Sequence, residues 1–465
     1  MAELADIGIV GLGVMGANLA LNLAEKGFRV AIFDCDPNKR AALTDGPMHQ
    51  GFINCPDEPR MLAAIRAPRP VIMLVPAGGA TDDAIKALAK HSSRGDLLID
   101  AGNADFHDTR RRTAELEGQG LTFLGLGISG GAKGARHGPA MMAGGSREIW
   151  DRVAPMFTAI AAHHGDEPCA AWLGPDGAGH FVKTVHNGIE YADMQMIAEV
   201  YGLMRDGLGA AETSVAAMFR EWSKGPLASY LVEITAEVAS ATDPLTDRPL
   251  LQIIADKAGQ KGTGRWSAIE GQRLGAAATT IEAAVAARNL SAATDLRKVL
   301  SAPLKTTVDL GPSDLHDALH AGKIIAYAQG FDMLARASAE YRWNLKLADI
   351  ARVWRAGCII RSNMLDDIAD AFTAQPDGSL LTAPTFRKHL AKSIPALRKT
   401  VAASVHAGIP TPALSSTLSY LDQLTRPVGT ANMLQGLRDF FGQHGFERTD
   451  REGTGFHGPW VEQKS

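Results

Sequence analysis

The sequence predicts an α/β Rossmann-type N-terminal domain followed by a large all-α domain and a C-terminal tail. Three observations carry that prediction. The first ~170 residues alternate short apolar runs with helical patterns, as parallel α/β structure requires. A GxGxxG, Gly11-Leu12-Gly13-Val14-Met15-Gly16, falls between the first apolar run and the first helical pattern. From Gly179 onward β-branched clusters become rare, and long Ala-rich stretches carry helical periodicity.

Taken in order, Ile7-Gly8-Ile9-Val10 reads as a strand and Met15 to Lys26 as a helix stopped by Gly27. Arg29 to Phe33 is a second strand. Val71 to Val75 is a third, continuously apolar as a strand buried on both faces must be. Leu97 to Asp100 and Leu121 to Leu124 follow, with helices over Thr81 to Lys90 and Asp108 to Glu117 between strands. Beyond residue 178, Ile189 to Leu208, Thr279 to Arg288 and Gly322 to Ala339 read as helices. Gly442-Gln443-His444-Gly445 breaks the last one, and the Gly-rich, charged segment to Ser465 reads as an extended tail. The expected divisions are 1–178, 179–437 and 438–465.

Composition excludes several classes of function. A chain of 465 residues is long enough for two or three domains. Its 46% hydrophobic and 21% charged residues are the balance of a globular protein, and a net charge of −4 argues against a nucleic-acid partner. Cys35, Cys55, Cys169 and Cys358 are dispersed, without CxxC or Cys/His spacing; free thiols are expected, and no metal site. No basic segment followed by an apolar one opens the chain, and no run approaches the ~20 apolar residues of a membrane helix. A cytoplasmic location without a membrane partner is expected.

The glycine motif stands in the strand–turn–helix context that a dinucleotide needs. Gly11 to Gly16 let the chain turn sharply and bring pyrophosphate to the helix N-terminus, where unpaired N–H groups stabilise an anion. Asp34 ends the second strand, where a carboxylate can accept from the adenosine ribose. Val75, Pro76 and Ala77, and Asn103 after the next strand, lie where ligands bind in such sheets. A nicotinamide dinucleotide is the expected cofactor.

The segment Gly179 to Tyr191 carries the chemistry. On a helix, Lys183, His186, Asn187, Glu190 and Tyr191 fall within an arc of about 140°. One face thus offers a base, an acid and three hydrogen-bonding groups, in a mixture unlike the Lys/Glu pairs of solvated faces. Two Gly-framed loops, Gly127 to Gly134 and Gln260 to Trp266, could each hold phosphate or carboxylate, though singly either reads as a turn.

Together these motifs closely resemble the decarboxylating 6-phosphogluconate dehydrogenase family. The matching stretches run along nearly the whole chain: Gly11 to Gly16, Asp100 to Asn103, Gly127 to Gly131, Gly174 to Tyr191, Gly259 to Trp266, Lys323 to Phe331, Trp354 to Arg361 and Gln435 to His444. The resemblance implies that Lys183 is the general base and Glu190 the general acid. It implies that Asn103, Ser129, Gly130, Gly131, His186, Asn187, Tyr191, Lys261 and Arg288 hold a phosphorylated sugar acid. It further implies a homodimer of the pentose phosphate pathway, in which the tail of one subunit brings Arg438 and His444 to its neighbour's site.

The residue types suit that chemistry. Oxidation at C3 needs a proton acceptor, which a neutral lysine provides once burial or a nearby cation lowers its pKa. The β-keto acid then loses CO₂, and the enediol needs a proton at C1. NAD or NADP could accept the hydride. NAD is favoured here, because Asp34-Cys35-Asp36 replaces the Asn-Arg-Thr of NADP-using relatives, although Lys39 and Arg40 open the next helix. A non-decarboxylating β-hydroxyacid dehydrogenase would share the glycine motif and the Lys/Asn helix but has no need of Lys261, Arg288, Arg438 or His444. A dinucleotide-sensing protein without turnover has no need of both Lys183 and Glu190.

Overall fold

The computed structural model describes residues 3–260, 262–301 and 307–460. Residues up to Thr417 form one compact unit, and Leu418 onward forms a second. Among the described residues no helix is long and apolar enough to cross a membrane. All four cysteines are free thiols, with Cys35 exposed and the other three buried.

The first unit is built on an eight-stranded sheet. Its strands are β1 (Ile7–Val10), β2 (Val30–Phe33), β3 (Phe52–Asn54), β4 (Pro70–Met73), β5 (Leu97–Asp100), β6 (Thr122–Ser129), β7 (Ala140–Gly145) and β8 (Ala170–Gly174). Their spatial order is β8-β7-β6-β5-β4-β1-β2-β3. Successive residues of each inner strand feed opposite cores. Ile7, Ile9, Ile72, Leu97 and Ile99 join one apolar cluster, and Val10, Val71, Met73 and Leu98 the other. Burial on both faces explains why these strands read as unbroken apolar runs.

β1 pairs with β2 on one side and β4 on the other, so the strand order reverses there. The crevice outside the carboxyl ends of β1 and β4 is where an open α/β sheet binds its ligand. The loops that open there are Gly11–Gly13, ahead of α1 (Val14–Glu25), and residues 74–78, ahead of α2 (Gly79–Ala89).

Two expectations change. The sheet is not wholly parallel, because β7 runs antiparallel to β6. Only the short α4 (Gly131–His137) joins them, and a parallel crossover needs a longer connection; α3 (Phe106–Glu117) precedes them between β5 and β6. The Gly127–Gly134 segment is also not one loop. Gly127 to Ser129 finish β6, and Gly131 already begins α4.

The remaining elements of this unit that matter for the site are helices: α5 (Ala178–Gly202), α6 (Thr263–Arg273), α7 (Thr279–Ser291), α8 (Pro312–Glu340) and α9 (Leu347–Trp354). Every residue of α5 from Ala178 to Ile189 is buried. Its first turn reaches the sheet through glycines: a Cβ on Gly179 would lie 2.5 Å from the Gly144 nitrogen of β7. α8 is buried continuously from Ala318 to Phe331.

In the second unit, α10 (Ala431–Gly442) stops where the Gly442–Gly445 break predicts. The expected extended tail is instead folded back on itself. Phe446 and Phe456 exchange both backbone hydrogen bonds, at 2.8 and 3.0 Å.

Candidate active site

The glycine loop has the three roles its spacing requires. Gly11 takes φ 91°, and a Cβ there would sit 2.5 Å from the Leu74 carbonyl oxygen. A Cβ on Gly16 would fall 1.9 Å from the Gly11 carbonyl oxygen, so α1 can press on the turn only without one. Gly13 caps α1 and has nothing within 4 Å of a Cβ position, leaving open space at the helix N-terminus. Gly13 and Val14 are exposed, Met15 half-buried and Leu12 buried. This open, donor-rich end fits a pyrophosphate.

Asp34 is more committed than its sequence position suggests. It is only 5% exposed, and its two oxygens accept from the Leu12 and Asp36 backbone N–H groups at 2.7 and 2.9 Å. Burial pushes its pKa up, but these donors and Lys39, 3.5 Å away, outweigh burial and hold the carboxyl below its usual range. Asp34 therefore braces the glycine loop as well as facing the strand end. Arg40 donates to the Asp34 carbonyl and, at 3.1 Å, to Asn54 Oδ1.

The loops after β4 and β5 share a buried guanidinium that the sequence reading missed. Arg112 of α3, 1% exposed, donates to Asp82 at 2.8 Å, to the Gly78 carbonyl at 3.1 Å and to Asp100 at 3.2 Å. It ties the half-buried Val75 and the exposed Pro76 and Ala77 to the loop that carries exposed Asn103. In a run of three arginines, nothing in the sequence marks the one that turns inward. His180, in the first turn of α5, joins the same layer through Thr109 Oγ1 at 2.7 Å.

The stripe on α5 converges as its periodicity predicts. Lys183 Nζ donates to Asn187 Oδ1 at 2.8 Å and lies 3.3 Å from His186 Nδ1. His186 Nδ1 is in turn 3.7 Å from the Glu190 carboxylate. Strand β6 completes the group. Gly127 and Ser129 share a strand face. A Cβ on Gly127 would lie 2.5 Å from Lys183 Cβ, so glycine admits the lysine, and Ser129 Oγ is 3.1 Å from His186 Nε2. Ser129 also accepts from the Ile359 N–H at 3.4 Å. Trp354 of α9 packs edge-on to the imidazole, with centroids 5.7 Å apart. Gly130 and Gly131, at φ 119° and 62°, turn the chain beside Ser129.

Burial shifts the pKa values of this group. It lowers the pKa of Lys183, which is 6% exposed, although the Glu190 charge opposes that shift. It lowers His186 far below the imidazole range, helped by the Lys183 charge, so His186 is neutral. It raises Glu190, against the pull of Lys183 and Arg288. A lysine driven toward the free amine beside a carboxyl driven toward the acid is the pattern of a base and an acid set for neutral pH.

Tyr191 leads to a second cluster. A Cβ on Gly264 would lie 2.3 Å from its ring, so α6 starts flush against it. The Arg288 guanidinium of α7 stands 3.5 Å over the ring centroid, and its Nη1 reaches the Gly259 carbonyl at 3.4 Å. Lys261, expected here, lies outside the described residues. Arg438 and His444 belong to the second unit. Arg438 is on α10, donating to Gln435 at 3.1 Å, and His444 follows the helix end.

Comparison with known proteins agrees with this geometry. Residues 6–174 match the family model described as the NAD binding domain of 6-phosphogluconate dehydrogenase, and residues 179–460 match the one described as its C-terminal domain. Two proteins of Bacillus subtilis are similar over 98% of this chain and 99% of their own length. One is an NAD(+)-dependent decarboxylating 6-phosphogluconate dehydrogenase, 42% identical, and the other an NADP(+)-dependent one, 41% identical. A solved structure of Plasmodium falciparum 6-phosphogluconate dehydrogenase, studied in apo form and with NADP+ and with 6-phosphogluconate, superposes with a TM-score of 0.93. It is 36% identical, and the match covers 98% of this chain and 100% of that one.

Proposed function

The chain belongs to the decarboxylating 6-phosphogluconate dehydrogenase family, and from that premise we propose how its residues divide the work. The reaction oxidises 6-phosphogluconate at C3 and releases C1 as CO₂, giving ribulose 5-phosphate and reduced NAD or NADP. Bound nicotinamide supplies the hydride acceptor. Lys183 takes the C3 hydroxyl proton as free amine. Its ammonium then faces the new carbonyl oxygen and stabilises the enolate that forms as CO₂ leaves. Glu190, whose pKa burial raises, delivers a proton to C1 of the enediol. His186 and Asn187 hold Lys183, and Ser129 fixes the imidazole.

Asn103, Ser129, Gly130, Gly131, His186, Asn187 and Tyr191 line the sugar acid in this reading. Lys261 and Arg288 meet the phosphate, for which a planar guanidinium is suited. The Tyr191 ring holds that guanidinium from behind. Arg438 and His444 complete the site of the second subunit of a homodimer, in a protein placed in the cytoplasm. The divisions 1–178, 179–437 and 438–465 are the dinucleotide, helical and tail segments.

Gly11, Leu12, Gly13, Val14, Met15, Gly16, Asp34, Val75, Pro76, Ala77 and Asn103 bind the cofactor, with NAD preferred over NADP. Lys39 is paired with Asp34, and Arg40 with Asn54 and the Asp34 carbonyl. Neither basic group stands free for a 2′-phosphate, and Cys35 adds no charge.

The observation that carries the proposal is the Lys183–His186–Glu190 chain on one buried helix face, with pKa values displaced toward the neutral base and neutral acid. Absorbance at 340 nm with 6-phosphogluconate and cofactor tests it directly. Cofactor reduction that Lys183→Met abolishes is expected. Undiminished reduction in that variant would remove Lys183 from the mechanism.

A further inference from the structure

The second unit is organised around one carboxylate that none of the proposed substrate contacts uses. Asp439 of α10 is fully buried. Its Oδ1 accepts from the Gly445 N–H at 2.9 Å and from His457 Nδ1 at 2.7 Å. Its Oδ2 accepts from the Gly458 N–H and the Trp460 Nε1–H, each at 2.9 Å. Burial alone would push its pKa up, but these four donors hold it far below the usual carboxylate range. A carboxylate has about four acceptor directions, so the group is saturated.

These bonds fix the residues on either side of it. Arg438 precedes Asp439 in the helix, and His444 precedes Gly445. Gly445 is held at both ends, its N–H by Asp439 and its carbonyl by Gln435 Nε2. Gln443 turns the chain with φ 49°. The His444 ring then lies over Gly442, where a Cβ would come within 2.6 Å of its Nε2. The far end of the loop is tied back through Gly458 and Trp460, and the Phe446–Phe456 pair closes its middle.

We infer that Asp439 is a positioning residue for substrate binding: it gathers the tail into a closed loop that presents His444 beside Arg438, ready-set for the phosphorylated end of the sugar acid. The inference rests on the proposed reading of Arg438 and His444 as groups supplied to a partner's site. Pre-setting matters because a group displaced by about 1 Å can cost up to about a hundredfold. Asparagine cannot replace the carboxylate, since it offers one acceptor oxygen and sets an NH₂ against donors.

The test compares Asp439→Asn, Trp460→Phe and Arg438→Ala in the full-length protein. Asp439→Asn is expected to raise KM for 6-phosphogluconate by roughly tenfold to a hundredfold while KM for the cofactor stays within about twofold. Its preference for 6-phosphogluconate over unphosphorylated gluconate should fall by a similar factor. Trp460→Phe, which removes one donor and keeps an aromatic ring, should give a smaller shift of the same kind. Hydrogen exchange at Gly445 and Gly458 should accelerate in Asp439→Asn while α5 and α8 keep their protection. Faster tail exchange with an unchanged KM would overturn the inference, as would both KM values and global protection changing together. If Arg438→Ala raises KM for 6-phosphogluconate and Asp439→Asn does not, the inference fails alone. If Arg438→Ala leaves KM unchanged, the reading of the tail fails and the inference falls with it.

Discussion

Replacing Glu190 by Gln should move the pH dependence of catalysis in a direction the geometry fixes. Lys183 Nζ is 3.3 Å from His186 Nδ1, which is 3.7 Å from the Glu190 carboxylate. The carboxylate is thus within about 7 Å of the amine, where two unit charges at an effective dielectric of about 20 interact by about 2 kcal/mol. Burial lowers the Lys183 pKa, and the Glu190 charge partly restores it. Removing that charge therefore lowers the pKa further. The free amine then persists to lower pH, and the acidic limb of kcat/KM shifts down. Turnover itself should fall by about 10²–10⁴-fold, the usual contribution of a general acid. The assay is cofactor reduction with 6-phosphogluconate across pH 5–10 at constant ionic strength. An acidic limb that stays in place or moves up would mean that Lys183 is not the group titrating there.

Gly16→Ala puts a Cβ 1.9 Å from the Gly11 carbonyl oxygen, which no rotamer relieves. Affinity for NAD and NADP should weaken together by roughly tenfold or more, measured by fluorescence titration; unchanged affinity would show that this turn does not hold the cofactor. Wild type should favour NAD over NADP by roughly tenfold or more in kcat/KM, since like charges a few ångströms apart cost about 1–4 kcal/mol. Asp34→Asn/Cys35→Arg should reverse the preference, whereas a wild type that favours NADP would show Lys39 and Arg40 reorganising around the 2′-phosphate. Mixed Arg438→Ala and Lys183→Met subunits should recover part of the activity that each lacks alone. No recovery, with subunit exchange confirmed, would place each site within one chain.

What the sequence revealed depended on how local the signal was. The glycine loop and the α5 stripe are each encoded within one turn or a few turns, so spacing alone placed Gly11, Gly16, Lys183 and Glu190 correctly relative to their neighbours. The strand β7 was missed because Ala140 to Gly145 consists of Ala, Met and Gly, with no β-branched residue to mark it. Its antiparallel course in turn hid the fact that Gly127 to Ser129 form a strand face rather than a loop. Contacts between distant segments left no trace. Ser129 reaching His186, Gly127 admitting Lys183 and Arg288 stacking on Tyr191 each join residues more than fifty positions apart. Arg112 stands in a run of three arginines, and only the fold distinguishes it. The tail read as extended because its composition is polar and Gly-rich; Asp439, which folds it back, lies in the preceding helix.

In the proposed mechanism, the α5 face that carries Lys183 and Glu190 couples oxidation at C3 to loss of C1. The most direct measurement follows 6-phosphogluconate labelled at C1 and counts labelled CO₂ against reduced cofactor in the same reaction. Equal amounts of the two, with ribulose 5-phosphate as the remaining product, are predicted. Cofactor reduction with the label retained in an acid product would contradict the account and favour a dehydrogenase that does not decarboxylate.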